Sequence, residues 1–107
     1  MTYNDALARF IEQLKIRDKE YNAKMNFNWQ TNFEVMSGRI NDKIVKIAHN
    51  RRSSYCYIEK STGGIMKGSW KRVEDHRHRG NIYNENPLEG TNEYGTMYMT
   101  ELKGKII

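Results

Sequence analysis

The chain has 107 residues, 37% of them apolar, and a net charge of +5 at neutral pH. A chain of this length folds as one domain, so we predict a single domain over residues 1–107. One cysteine, Cys56, excludes an intramolecular disulfide and a cysteine-rich zinc module. There is no apolar run of about 18 residues and no basic start followed by an apolar segment, so we expect neither a membrane span nor a signal peptide. A reducing cytoplasm suits such a chain.

The positive charge lies in the middle of the sequence. Residues 39–80 contain eleven Lys or Arg and four Asp or Glu, whereas residues 1–38 are balanced and residues 81–107 carry a net −2. A concentrated positive field attracts polyanions and speeds their encounter. A basic surface that only keeps the protein soluble is the alternative.

Residues 3–22 have the periodicity of an amphipathic helix. Thr2 followed by Asp5 resembles a capping box at its start, and Ile16 is the apolar residue that falls off the helix's stripe. The stripe consists of Tyr3, Leu7, Phe10, Ile11, Leu14 and Tyr21. We predict that this stripe covers a sheet; docking onto a partner protein is the alternative.

The residues after the helix first form a connection and then antiparallel strands. Met25, Phe27 and Trp29 alternate with polar residues, which indicates a connection that becomes extended. The predicted strands are Phe33–Ile40, Lys43–His49, Ser54–Lys60 and Ile65–Trp70. The predicted turns lie at 41–42, 50–54 and 61–64.

These elements predict an α+β fold. The N-terminal amphipathic helix packs on a three- to four-stranded antiparallel β-meander, with the sheet at about residues 33–70. Residues 71–107 are expected to be irregular, apart from a weak strand in the segment YGTMYM at residues 94–99.

Catalytic signals are weak. Cys56 lies in the middle of a predicted strand, where a buried and inert thiol is expected. Glu74 and Asp75 are adjacent, so their side chains point to opposite sides of an extended segment and do not form an acid–base pair. The segment STGGIMKGS lacks the ending and the following helix of a phosphate-binding loop. We expect no enzyme and no cofactor.

A metal site is a weak possibility at His76 and His78. Both rings share one side of an extended segment, and His49 or Asp75 are candidates for a third ligand. Arg77 and the following Arg79 alternate with the histidines and repel a dication, so we expect no metal.

Nucleic acid is the stronger candidate partner because basic side chains cluster around the predicted sheet. Arginine bonds phosphate bidentately, and Asn81 can bond a base edge or a phosphate. Tyr55, Tyr57 and Trp70 offer stacking faces of the kind that single-strand binders use, although we place Trp70 in the core beneath the helix. The candidate residues are Arg51, Arg52, Lys67, Lys71, Arg72, His76, Arg77, His78 and Arg79.

Other interpretations of the same surface stay open. The protein can inhibit a host or defence protein by docking on an acidic patch of it. A Tyr-rich sheet can self-associate, so a monomer and a small homo-oligomer are both compatible with the sequence. Arg, Trp and Tyr also suit the phosphates and base of a small nucleotide, which such an oligomer would sequester.

A resemblance to a known family begins in the second half of the chain, in YCYIEKSTGGIMKGSWKRVEDHRHRGNIY at residues 55–83. Over about residues 40–99 the chain resembles a family of small uncharacterised proteins encoded by tailed bacteriophages. The positions that match are Lys60, Gly63, Lys67, Ser69, Trp70, Lys71, Arg79, Gly80, Asn81 and Ile82. Glu59 and Gly64 stand where that family usually carries aspartate.

The resemblance implies a phage protein acting in the cytoplasm of a bacterial host, and it implies no catalytic or binding residue. A buried Arg79 that bonds backbone carbonyls would explain the Arg-Gly-Asn-Ile spacing as well as a phosphate contact would.

Overall fold

The computed structural model describes residues 1–28 and 30–99. One helix, α1 (Tyr3–Lys24), packs on a five-stranded antiparallel sheet of order β1-β2-β3-β4-β5, which confirms the α+β class. Its strands are Thr31–Ser37, Asn41–Ala48, Arg51–Glu59, Gly64–Gly68 and Val73–Asn81. A small hairpin follows, with strands β6 (Thr91–Asn92) and β7 (Gly95–Thr96). No helix in the described part of the chain is long and apolar enough to cross a membrane.

The helix begins where the capping pattern predicts. The Thr2 hydroxyl accepts a hydrogen bond from the Asp5 backbone N–H at 3.1 Å, which satisfies one of the free donors of the first turn. Phe10 and Leu14 from the predicted stripe are buried against the sheet, together with Ala6. Ile16 is 49% exposed, as its position off the stripe indicates.

The sheet contributes a row of buried apolar side chains to the same core. Alternate residues of a strand point to opposite faces, and the face toward α1 carries Phe33, Ile44, Cys56, Ile58, Ile65 and Ile82. Fully burying each large apolar side chain stabilises the fold by about 1.5–3 kcal/mol. This core joins the helix to strands β1 to β4 and to Ile82, which directly follows β5.

The turns differ in part from the prediction. The turn between β1 and β2 is not at Asn41 and Asp42, because both lie in β2; the chain reverses at Gly38, whose N–H bonds Asn41 O at 3.0 Å. The turn between β2 and β3 consists of His49 and Asn50, with φ of 54° and 61°. Two positive φ values are typical of the tight hairpin turn whose twist matches the flanking strands.

The largest departure is β5. Residues 71–107 were expected to be irregular, yet Val73–Asn81 forms a strand paired with β4. A following segment crosses this strand so closely that a Cβ on Gly80 would lie 2.1 Å from Glu89 O, and one on Gly90 would lie 2.0 Å from Arg79 O. Pairing on one side and this crossing on the other hold a polar strand in place. The weak strand expected at 94–99 contains β7, and residue 29 and residues 100–107 lie outside the described residues.

Two arginines of α1 tie the C-terminal segment to the helix. Arg9 donates hydrogen bonds to Ile82 O at 2.7 Å and to Asn84 O at 2.8 Å. Arg17 reaches the β6–β7 hairpin and donates to Asn92 O at 2.8 Å. Because both guanidinium groups bond protein oxygens, these cations are part of the fold and are not available for a polyanion.

Candidate nucleic-acid interface

The turn between β4 and β5 folds back over the face of the sheet that points away from α1. The Tyr57 hydroxyl donates to Ser69 O at 2.8 Å, and Lys43 Nζ donates to Trp70 O at 2.5 Å. Gly68 permits this approach, since a Cβ there would lie 2.4 Å from the Tyr57 ring. The turn is therefore fixed onto the sheet at several points.

A groove of about 480 Å³ lies between this turn and the turn that joins β1 to β2. It is lined by Arg39, Ile40, Asn41, Tyr57, Arg72, Val73 and His76. None of these lining residues is acidic. We call this site the basic groove.

Three cations at or beside the basic groove have no partner among the described residues. Arg39 and Arg72 line it, and Lys71 is exposed beside Arg72. Their charged groups make no hydrogen bond or ion pair within residues 1–28 and 30–99. An anion can therefore bind here without displacing a carboxylate of the protein.

Trp70 is at the surface and not in the core, so our expectation for it was wrong. The residue is 44% exposed, and Lys43 Nζ lies 3.8 Å from the centre of its ring. Tyr57 lies beneath the turn, on the face of the sheet that points away from α1, and it is 7% exposed. Tyr55 is also buried, so of the three aromatics considered for stacking only Trp70 is accessible.

Arg51 and Arg52 lie away from the basic groove. They follow the turn at the far end of the β2–β3 pair, and the length of β2 separates the two ends by about 23 Å. Arg52 forms an ion pair with Glu34 at 2.9 Å, whereas Arg51 is exposed. Clustering along the chain did not indicate that these two arginines lie at the opposite end of the strands from the basic groove.

Arg77 and Lys67 line a second cleft, of about 410 Å³, which also contains Glu74, Asp75 and Tyr98. Arg77 donates two hydrogen bonds to the Asp75 carboxylate, from Nη2 at 2.7 Å and from Nε at 3.1 Å. The hydrogen bonds from Arg77 hold the pKa of the Asp75 carboxyl well below its usual range, and Asp75 in turn raises the pKa of Arg77. This cleft is electrically mixed and attracts an anion less than the basic groove does.

Arg79 does not lie on the surface, so it leaves the set of candidate contacts. The residue is 6% exposed, and its guanidinium donates to Met97 O at 3.2 Å, to Arg77 O at 2.9 Å and to Asp75 Oδ2 at 3.0 Å. All three acceptors are groups of the protein itself, so the Arg79 guanidinium is bonded internally. Arg79 is the buried structural residue that the alternative interpretation of the Arg-Gly-Asn-Ile run anticipated.

The other residues of that run are structural as well. Gly80 lets the chain cross β5, and Ile82 is fully buried in the core. Asn81 donates to Thr62 O at 2.9 Å and accepts from the Tyr83 N–H at 2.9 Å, so its amide closes a turn and does not face a ligand. These positions of the resemblance therefore specify a fold.

The three histidines lie in different surroundings. His76 lines the basic groove, His78 lies 3.5 Å from a carboxylate oxygen of Glu59, and His49 forms the turn between β2 and β3. Within the described ranges, no three histidine, cysteine, aspartate or glutamate side chains come together as a metal site. Cys56 is fully buried, and this burial raises the pKa of its thiol.

Arg39 lines the basic groove and Lys43 bonds the turn beside it, and neither residue was a candidate on sequence grounds. Arg39 is separated from Arg72 by most of the sheet in sequence, and only the folding of the β4–β5 turn onto Tyr57 brings them to one groove. The single signal available beforehand was the surplus of positive charge over residues 39–80.

Comparison with known proteins identifies a family whose function is unknown. The profile of a family described as a family of unknown function (DUF7717) matches residues 1–97, so the chain belongs to that family. No curated protein and no solved structure matches the chain.

Proposed function

We propose that this member of a family of unknown function binds nucleic acid through the phosphate backbone, at the basic groove. The observation that carries the proposal is that Arg39 and Arg72 line a groove with no acidic lining residue, that Lys71 lies beside it, and that none of the three has a partner within residues 1–28 and 30–99. Guanidinium groups bond phosphate oxygens bidentately, and a lysine adds a mobile positive charge.

These cations differ electrostatically from those that already have a carboxylate partner. A cation already paired with a carboxylate, such as Arg77 with Asp75, gains little by exchanging it for a phosphate. An unpaired surface cation gains the full interaction and releases a condensed counterion from the nucleic acid. The basic groove is therefore the part of the surface where phosphate binding is most favourable.

The test is a titration of a labelled oligonucleotide, followed by fluorescence anisotropy over a series of salt concentrations. About three phosphate contacts give a slope of about −2 in a plot of log K against log salt for a single strand. Arg39→Ala combined with Arg72→Ala should weaken binding and flatten this slope by about 1.4.

Arg51→Ala combined with Arg52→Ala is the matched control, because it removes the same charge from the far end of the sheet. Binding without a salt slope, or a control pair as damaging as the groove pair, would rule out the proposed site.

An acidic host protein is the second candidate partner, and the exposure of Ile40 at the rim of the basic groove favours it. This side chain is 67% exposed, and an apolar residue beside cations is typical of protein contacts. A pull-down from bacterial lysate treated with nuclease separates the two proposals: a protein partner stays bound and a nucleic-acid-dependent one is lost. The bacteriophage origin and the host cytoplasm that the resemblance implies stay predictions.

A further inference from the structure

Trp70 is an exposed aromatic side chain that the fold holds in place beside the basic groove. Its carbonyl oxygen accepts from Lys43 Nζ at 2.5 Å, and the Tyr57 hydroxyl bonds the carbonyl of the preceding residue at 2.8 Å. The residue nonetheless exposes 44% of its surface. Fixing the turn in advance lowers the entropy cost of stacking a ligand on the ring.

Positive charge lies against one face of the ring and next to Trp70 along the chain. Lys43 Nζ lies 3.8 Å from the ring centre, and Lys71 and Arg72 follow directly in the sequence. Arg72 also lines the basic groove. A strand whose phosphates lie along the groove would therefore bring its bases within reach of the Trp70 ring.

We propose that the basic groove takes single-stranded rather than duplex nucleic acid, with one unstacked base packed on Trp70. This inference rests on the proposed function and adds the class of ligand. In a duplex the bases are paired and stacked on one another, so none of them offers its face to the Trp70 ring. In a single strand a base is free to stack on an aromatic ring, which strengthens binding in a way that tolerates any base.

The two tyrosines that the sequence suggested as further stacking faces are buried, so at the β4–β5 turn the contact involves the Trp70 ring alone. Tyr55 is 4% exposed and Tyr57 is 7% exposed, so neither offers a face to a ligand. Loss of one base–aromatic stack weakens binding by about five- to 150-fold. The preference for single strands over duplex is expected within the same range.

The experiment measures affinity for one sequence, as a single strand and as a duplex, with the intact chain, Trp70→Ala and Trp70→Phe. We expect the intact chain to prefer the single strand, Trp70→Ala to lose that preference while keeping its salt slope and duplex affinity, and Trp70→Phe to keep most of the preference. Tyr94→Ala is the control, because Tyr94 is 80% exposed and lies on the β6–β7 hairpin.

Tryptophan fluorescence supplies a second measurement that does not depend on truncating the ring. Quenching by the single strand should occur in the intact chain and shrink in Trp70→Phe, which leaves Trp29 as the only indole. Equal affinity for single strand and duplex, or equal losses for both in Trp70→Ala, would overturn the single-strand inference and leave phosphate binding intact. Absence of binding to either form would overturn the proposed function itself.

Discussion

Replacing Arg79 with alanine removes three hydrogen bonds from inside the protein. The guanidinium donates to Met97 O, Arg77 O and Asp75 Oδ2 at 2.9 to 3.2 Å, and the Arg79 side chain is 3% exposed. The carbonyl of Met97 and the carboxylate of Asp75 lose their shared donor. Truncation also leaves a cavity where the side-chain stem was packed.

The magnitude follows from the nature of these bonds. Hydrogen bonds that involve a charged group contribute about 1.5–3 kcal/mol each, and partial rehydration recovers some of that. We therefore expect Arg79→Ala to lower the free energy of unfolding by about 3–5 kcal/mol. A domain of this kind has about 5–15 kcal/mol in total, so the variant will be marginal.

Urea denaturation followed by circular dichroism measures the effect. With a slope of about 1.5 kcal/mol per molar, the midpoint should fall by about 2–3 M. Arg77→Ala is the comparison, because Arg77 bonds the same Asp75 from the exposed side and should shift the midpoint far less. If Arg79→Ala keeps the parental midpoint and instead loses oligonucleotide binding, the structural role is refuted.

Three further outcomes follow from other contacts. Gly80→Ala should lower stability by about 1–3 kcal/mol in the same urea assay, because its Cβ would lie 2.1 Å from Glu89 O. The depressed pKa of Asp75 contributes stability that is present at neutral pH and is lost as the pH falls below about 4, so Asp75→Asn should flatten the acid side of the stability profile. Burial raises the pKa of Tyr55 to about 12, so its neutral form stabilises the fold and stability should fall as the pH rises from about 10 to 12, with Tyr55→Phe less sensitive. Thermal melts across pH check both profiles, and melting curves that match the parent would contradict the corresponding assignment.

Periodic apolar residues made most of the fold predictable. The helix was expected at residues 3–22 and occupies Tyr3–Lys24, since its stripe and its Thr2 cap act locally. The four expected strands each overlap an observed strand. The strand Val73–Asn81 was missed because VEDHRHRGN has almost no apolar periodicity, and its conformation depends on β4 on one side and the crossing of Gly80 by residue 89 on the other.

The candidate site was less predictable, since it depends on which cations remain unpaired. Arg72 and Arg79 are seven residues apart and were grouped as one cluster from the sequence. In the structure Arg72 lines the basic groove, whereas Arg79 is buried. Arg39 entered the groove through the β1–β2 turn, whose position was itself predicted wrongly. Trp70 is exposed because the β4–β5 turn that carries it folds over the face of the sheet away from α1, where Tyr57 and Lys43 bond its backbone. Such outcomes depend on contacts between distant segments.

The burial of Cys56 makes the chain convenient to study by thiol chemistry. Cys56 is 0% exposed and lies opposite Ile44 where β2 pairs with β3, at the centre of the sheet. Burial raises the pKa of its thiol. Alkylating reagents attack the thiolate, so they should modify this site only when the sheet opens. The rate of labelling therefore measures how often the sheet opens. A cysteine introduced at an exposed position can carry a dye while the native thiol is left in place.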